Sequence, residues 1–291
     1  MFASAVALAL TAAQPMPAAA PSGGPELAAA CRGRDGWSDP APPARIIGNT
    51  YYVGTCGISA ILVTSPDGLV LIDGATEAAA EQIVANIRRL GFDPAQVRYL
   101  LSSHEHEDHA GGLAALKRLT GARFVARAEA RGALESGRAD PADPQTGVLR
   151  PFPAVKVDQV IADGGTIRVG RVVLTAHATQ AHTAGSTSWS WRSCGSASAC
   201  PVVVYADSLT AVSADGYRFT DHPELVARFR GALGKVAALD CGVLVTPHPS
   251  ASNLFERMAG RAPLIDRNAC RTYAATAGRR LDARLAQEAG R

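Results

Sequence analysis

Apolar positions along this chain fall mostly into short, β-branched runs broken by turn residues. Residues 49–53, 59–64 and 69–73 read as strands, with Ser65-Pro66-Asp67-Gly68 as a hairpin turn between the last two. Spacing then changes to helical over residues 77–90. Ile83, Val84, Ile87 and Leu90 share one face, Thr76 is placed as an N-cap, and Gly91 closes the helix. A buried strand over residues 97–101 precedes a polar cluster and a second helical stretch at 113–117. A second run of strands follows at 159–161, 166–169, 172–175, 186–191 and 201–205. From Pro223 the residues Leu225, Val226, Phe229, Leu233 and Val236 line one side of a helix. Residues 243–246 form another buried strand, and from Cys270 a helix aligns Tyr273, Ala274, Ala277, Leu281 and Leu285. Strands followed by a helix, twice over, predict an α/β fold of two packed sheets with helices outside. Residues 21–44, rich in Pro, Gly and Ala, are expected to wrap the surface, and no solenoid repeat is present.

The polar cluster carries the chemistry. His104-Glu105-His106-Glu107-Asp108-His109 runs directly into Ala110-Gly111-Gly112. It lies at the carboxyl end of a strand, where open α/β sheets place their ligands. Imidazole and carboxylate are ordinary zinc ligands. Four such groups so close in sequence do not easily surround one ion tetrahedrally, which favours two neighbouring ions completed from elsewhere. A solvated polar turn does not call for four such groups together. His248, between Pro247 and Pro249, and His182, in Ala181-His182-Thr183-Ala184-Gly185-Ser186-Thr187, also fall at strand ends and are the natural completing ligands. His177 either supports the ligands from behind or packs in the core. His222 reads as a surface or cap residue ahead of the helix at Pro223.

Charge and composition narrow the picture. The 291 residues are 47% hydrophobic with a net charge of +3, and the basic residues form no stripe or block, so nothing in the charge points to nucleic acid and no such partner is expected. Residues 1–20 are uncharged, with an apolar centre too short to span a bilayer and a small-residue site at Ala18-Ala19-Ala20. They read as a secretory signal peptide lacking the usual basic start, which leaves residues 21–291 as the mature protein, expected in the periplasm without a membrane span. Six cysteines, none in a C-x-x-C pair, suit disulfides in an exported chain. Fifteen pairings are open. Sequence order suggests Cys31–Cys56, Cys194–Cys200 and Cys241–Cys270, the middle pair closing a Gly/Ser-rich hairpin tip.

Taken in order, H-x-H-x-D-H with Gly-Gly, His182-Thr183-x-Gly185-Ser186-Thr187-Ser188-Trp189, Ala206-Asp207-Ser208-Leu209 and Pro247-His248-Pro249 resemble the metallo-β-lactamases, specifically subclass B3. The resemblance extends from Arg45 to Phe255, and Ser208 in place of Cys supports the subclass. It implies an αβ/βα sandwich of two mixed β-sheets, with helices on the outer faces and the site at the mouth between the sheets. It also implies two zinc ions, one held by His104, His106 and His182, the other by Asp108, His109 and His248. Ser208 is similar to the family position beside the substrate carboxylate, with Thr210 assisting, and Asp73 resembles an acid that orients ligands. The implied reaction is zinc-dependent hydrolysis of the β-lactam amide in penicillins, cephalosporins and carbapenems by a metal-bound hydroxide, with Asp108 orienting the attacking oxygen. Antibiotic resistance follows from it, and a monomer is expected. The chain departs from the family in having Ala181 and Ala184 where Gly and Pro are common around the third histidine.

Two other readings compete. One is a thioesterase or lactonase of the same superfamily, with Asp207 available to bridge the metals. The other is a non-catalytic zinc-binding protein, which the open three-residue ligand sets disfavour because closed structural sites use four protein ligands. The serine β-lactamase signatures are absent. No Gly-x-Ser-x-Gly occurs, and none of Lys117, Lys156 and Lys235 has a serine three residues before it.

Overall fold

The computed structural model describes residues 23–195 and 200–290, so the leader expected over residues 1–20 lies outside it. Among the described residues, twelve strands form two sheets. The first comprises β1 (Ala44–Ile47), β2 (Thr50–Tyr52), β3 (Ile61–Ser65), β4 (Gly68–Ile72), β5 (Val97–Leu101), β6 (Arg123–Ala126) and β7 (Gln159–Val160), hydrogen-bonded in chain order. The first four strands pair antiparallel, and from β4 onward the pairing is parallel. The second sheet holds β8 (Thr166–Val169), β9 (Val172–Ala178), β10 (Thr187–Arg192), β11 (Val202–Tyr205) and β12 (Val243–Val245), with only the β11–β12 pair parallel. The helices are α1 (Gly24–Ala30), α2 (Ala80–Arg89), α3 (Glu107–Ala110), α4 (Leu113–Thr120), α5 (Arg131–Ser136), α6 (Pro223–Ala238), α7 (Leu254–Met258) and α8 (Ala269–Ala289).

Strand alternation sorts these elements into four layers. Along β4, Leu69 and Leu71 face a core shared with Ile83, Val84 and Ile87 of α2 and Leu113 and Leu116 of α4. Val70 and Ile72 face the opposite way, into a core between the sheets with Trp189, Trp191, Val203 and Tyr205. On β11 the same rule turns Val204 outward, against Phe229 and Val236 of α6 and Leu281 of α8. Helix, sheet, sheet, helix is therefore the order of packing, the αβ/βα sandwich of two mixed sheets.

Three expectations give way to the structure. Residues 21–44 do not simply wrap the surface: α1 forms within them, started by Pro25 in its first turn, and Leu27 is fully buried. The strand at 159–160 pairs with β6, Val125 opposite Gln159, so it closes the first sheet rather than opening the second. Thr76 precedes a 3-10 turn that leads into α2, but its hydroxyl meets Ser38 Oγ at 2.7 Å and makes no cap bond. Disulfides join Cys31 to Cys56, Cys194 to Cys200 and Cys241 to Cys270. The second bridges the β10–β11 connection, and the third ties the turn before β12 to the start of α8.

Where the two sheets meet at one edge, the strand ends are cross-linked. Trp189 Nε1 donates to the Ser102 carbonyl at 3.0 Å, Thr187 N to Ser103 at 2.7 Å, and Ser59 N to Pro247 at 2.7 Å. This rigid edge presents the loops that follow β4, β5, β9, β11 and β12 to one place.

Candidate metal centre

Each candidate ligand stands just beyond a strand, and the local sequence explains its aim. After β5 the chain bends through Ser103 and Glu105 to His106, which lies at the N-terminal boundary of the one-turn helix α3. That turn carries Asp108 and His109 on the side facing the sheets, both buried. Gly112 is required here. A side chain at this position would meet the Gly74 carbonyl, so glycine lets the turn press against the loop after β4. That loop is itself bent sharply. Asp73 holds φ +64°, a left-handed conformation that Asp tolerates better than most residues. Its carboxylate accepts from Ser103 N, Ser103 Oγ and Tyr205 OH, each at 2.6 Å, and lies 3.6 Å from His109 Nδ1. Asp73 thus sits directly behind His109 and braces the segment from which His104 follows.

His104, His106 and His182 converge, one ligand nitrogen from each lying within 4.8 Å of the others. Their ring centroids are 4.8 to 5.0 Å apart. Every ring is held from outside. His104 Nδ1 pairs with Asp207 Oδ1 at 2.8 Å, His106 Nε2 with Asp143 Oδ2 at 2.9 Å, and His182 Nδ1 with Thr210 Oγ1 at 2.9 Å. The inward nitrogens are therefore His104 Nε2, His106 Nδ1 and His182 Nε2. Burial, then the neighbouring imidazoles, hold His104 well below the usual histidine range. The same causes bring His182 down to about 3. Both rings are thereby kept neutral, with a lone pair to offer.

Beside them lie Asp108, His109 and His248. Asp108 Oδ2 is 3.0 Å from His109 Nε2 and 3.3 Å from His248 Nε2, and His104, Asp108 and His109 form a second group within 4.8 Å. Burial alone would lower His109, but the Asp108 and Asp73 carboxylates outweigh it and raise its pKa to about 10. His248 stands at the mouth with 37% of its side chain exposed.

These residues fit divalent metal ions. Both ring nitrogens of His109 and Oδ2 of Asp207 are buried without a hydrogen-bond partner among the described residues, an arrangement costly in a folded chain unless something else engages them. Carboxylate and neutral imidazole are also the donor set such cations take.

Other candidates fall elsewhere. His177 does not join the centre: on β9, it pairs with Ser190 Oγ on β10 at 2.7 Å, a contact within the sheet. His222 stacks on Tyr217 with ring centroids 4.6 Å apart and lies ahead of α6. Ser208 is buried on the same loop as Asp207. Thr210 has its hydroxyl on His182, which makes it a support for that ring.

Two supporting residues escape a reading of the sequence. Glu105 lies between two of the histidines and points away from them, accepting from Thr183 Oγ1 at 2.8 Å and Gly185 N at 2.9 Å. Burial pushes its carboxyl up to about 7 against these bonds. It fastens the His182 loop to the His104 segment. Only its alternation with the histidines signals this turn away from the centre. Asp143 sits in a loop whose sequence carries no periodic pattern, and no local signal marks it.

The metallo-beta-lactamase superfamily profile matches residues 53–248. The metallo-beta-lactamase MIM-1 of Novosphingobium pentaromativorans superposes with a TM-score of 0.90 at 55% identity, over 91% of this chain and 98% of its own. MEM-A1, a subclass B3 metallo-beta-lactamase isolated from a soil metagenome library, gives a TM-score of 0.83 at 42% identity, over 88% of this chain and 99% of its own. An N-acyl homoserine lactonase, AttM of Rhizobium johnstonii, is 36% identical over 90 residues, 23% of this chain, and the match spans about a third (34%) of the lactonase.

Proposed function

Because the chain belongs to the metallo-beta-lactamase superfamily, within its subclass B3, we propose that it hydrolyses the amide bond of penicillins, cephalosporins and carbapenems with two zinc ions. His104, His106 and His182 would hold one ion, and Asp108, His109 and His248 the other. The observation that carries this reading is the presence of two adjacent three-residue sets at one mouth, each leaving room for a further ligand. Bound there, zinc supplies Lewis acidity toward the lactam carbonyl and brings a water close to neutral-pH ionisation.

The chain's own residues do the rest. Asp207, Asp143 and the Thr210 carbonyl, 3.1 Å from His182 Nδ1, fix the tautomers of the first set, so that each histidine offers a lone pair in one direction. Asp108 uses Oδ2 toward His109 and His248, and its Oδ1 would accept a hydrogen bond from the attacking water and orient it. Ser208 donates its hydroxyl to the substrate carboxylate. Three disulfides suit an oxidising compartment, and among the described residues no helix is long and apolar enough to cross a membrane. The disulfides agree with a periplasmic enzyme.

A lactonase is the second reading, favoured by the partial match to AttM. Against it stand the six-residue ligand set and Ser208. Asp207 has Oδ1 on the outer nitrogen of His104 while its Oδ2 has no partner among the described residues, so it does not decide between the two. Rates for a carbapenem, a penicillin, a cephalosporin and an acyl homoserine lactone, measured with the same zinc-loaded protein, separate the two. The β-lactams are expected to be the better substrates. A lactone turned over far faster than any of them would reverse the assignment.

A further inference from the structure

We propose that Asp143 is the positioning residue for His106, and that through it the loop of residues 138–151 is built into the first metal site; the proposal rests on the metal-centre reading above. His106 is the member of its set that turns Nδ1 inward, whereas His104 and His182 turn Nε2 inward. Nothing in its own short segment dictates that choice. The partner on Nε2 does: an ionised carboxylate can only accept, so the ring must carry its proton on Nε2 and keep the Nδ1 lone pair free.

Asp143 suits this task because it is itself held. Its side chain is buried, and Oδ1 accepts from Gln145 N at 2.8 Å while Oδ2 meets His106. The loop around it is tied down three more times. Asp143 N donates to the Asp140 carbonyl at 2.9 Å, Thr146 Oγ1 donates to the same carbonyl at 2.6 Å, and Ala214 N donates to the Pro144 carbonyl at 2.8 Å. Gln145 Nε2 reaches to 3.5 Å from His182 Nε2, a second approach of the same loop to the same set. A segment that would otherwise be a surface flap thus carries a fixed part of the metal site. Its conformation and the affinity of the first ion are one quantity.

The test is a zinc titration of the stripped full-length mature protein against a chromogenic chelator, which reads two successive equivalents without reference to turnover. D143A is expected to weaken one equivalent by about 10- to 100-fold, the range for losing a ligand's outer partner, and to leave the other unchanged. D143N, which keeps an acceptor oxygen and loses the charge, is expected to fall between wild type and D143A, again at one equivalent only. Thermal unfolding of the stripped proteins shows that the variants are folded, and D143N, being isosteric, decides the matter alone if D143A does not fold. Wild-type affinity at both equivalents in the folded variants, or an equal loss at both, overturns the proposal. A wild-type protein that takes up no zinc would instead sink the metal-centre reading on which it rests.

Discussion

The two halves of the centre are built differently. In the first set, every imidazole has a partner on its outer nitrogen, and the three partners come from three separate loops: Asp207, Asp143 and Thr210. In the second, Asp108 does most of the holding, with Oδ2 between His109 and His248. Asp73 backs His109 at 3.6 Å without forming a hydrogen bond, and His248 is partly exposed with no hydrogen bond to its other nitrogen among the described residues. A preorganised ligand set pays its ordering cost during folding, while a looser one pays it on binding. The first set should therefore bind its ion more tightly, and the second, at the mouth, should have the adjustable geometry that a site meeting substrate uses.

The largest effect should come from the ligands themselves. His104→Ala is expected to remove the tight equivalent and to lower β-lactam turnover by more than about 100-fold, beyond what loss of an outer partner alone costs. His248→Ala should weaken only the looser equivalent. Titrations in which H248A disturbs the tight equivalent as much as H104A does would end the comparison.

A smaller effect is expected at Glu105. Glu105→Ala leaves the buried Gly185 amide without its acceptor and the Thr183 hydroxyl with only Ser186 Oγ at 3.2 Å. At about 1–3 kcal/mol for a stranded buried donor, thermal or urea unfolding should show a loss of about 1–3 kcal/mol. The tight equivalent should weaken with it, because His182 rides on that loop. A loss of stability with both zinc affinities intact would show that the loop holds His182 without help from Glu105.

The smallest effect lies away from both sets and serves as their control. Glu288 accepts from Thr220 N at 2.9 Å and pairs with Arg284. Burial opposes ionisation, but these bonds prevail and its pKa falls from 4.5 to about 2. A carboxylate lowered on folding adds stability above its unfolded value, and that stability is lost as pH falls from about 4.5 toward about 2. Glu288→Gln should flatten this limb of the stability–pH curve and leave both zinc affinities unchanged.

How much of this was legible in the sequence differs between the same two halves. Asp108 and His109 are local, so spacing alone announces them, and His182 and His248 were legible as histidines beyond strands. The outer partners were much less so. Asp143 lies 37 residues from His106 in a stretch without periodicity, and only folding brings them together. Glu105 looked like one more acid in a polar cluster, and its direction became visible only with the turn before α3. In the fold, the strands with strong alternation were plain. β6 was not read, being four residues long with an arginine at its start, and sheet membership of β7 depends on a pairing across 34 residues, Val125 to Gln159, that local pattern does not encode. The helix at Gly24–Ala30 was hidden by composition, since the Pro that marks helix entry also marks loops.

The central claim is that two unequal zinc sites together hydrolyse β-lactams. It is tested most directly by following carbapenem turnover as zinc is returned to the stripped protein in measured equivalents. The account predicts no turnover without zinc and a plateau by two equivalents, with the first bound more tightly than the second. Full turnover in the presence of a strong chelator, or none with two equivalents bound, would contradict it.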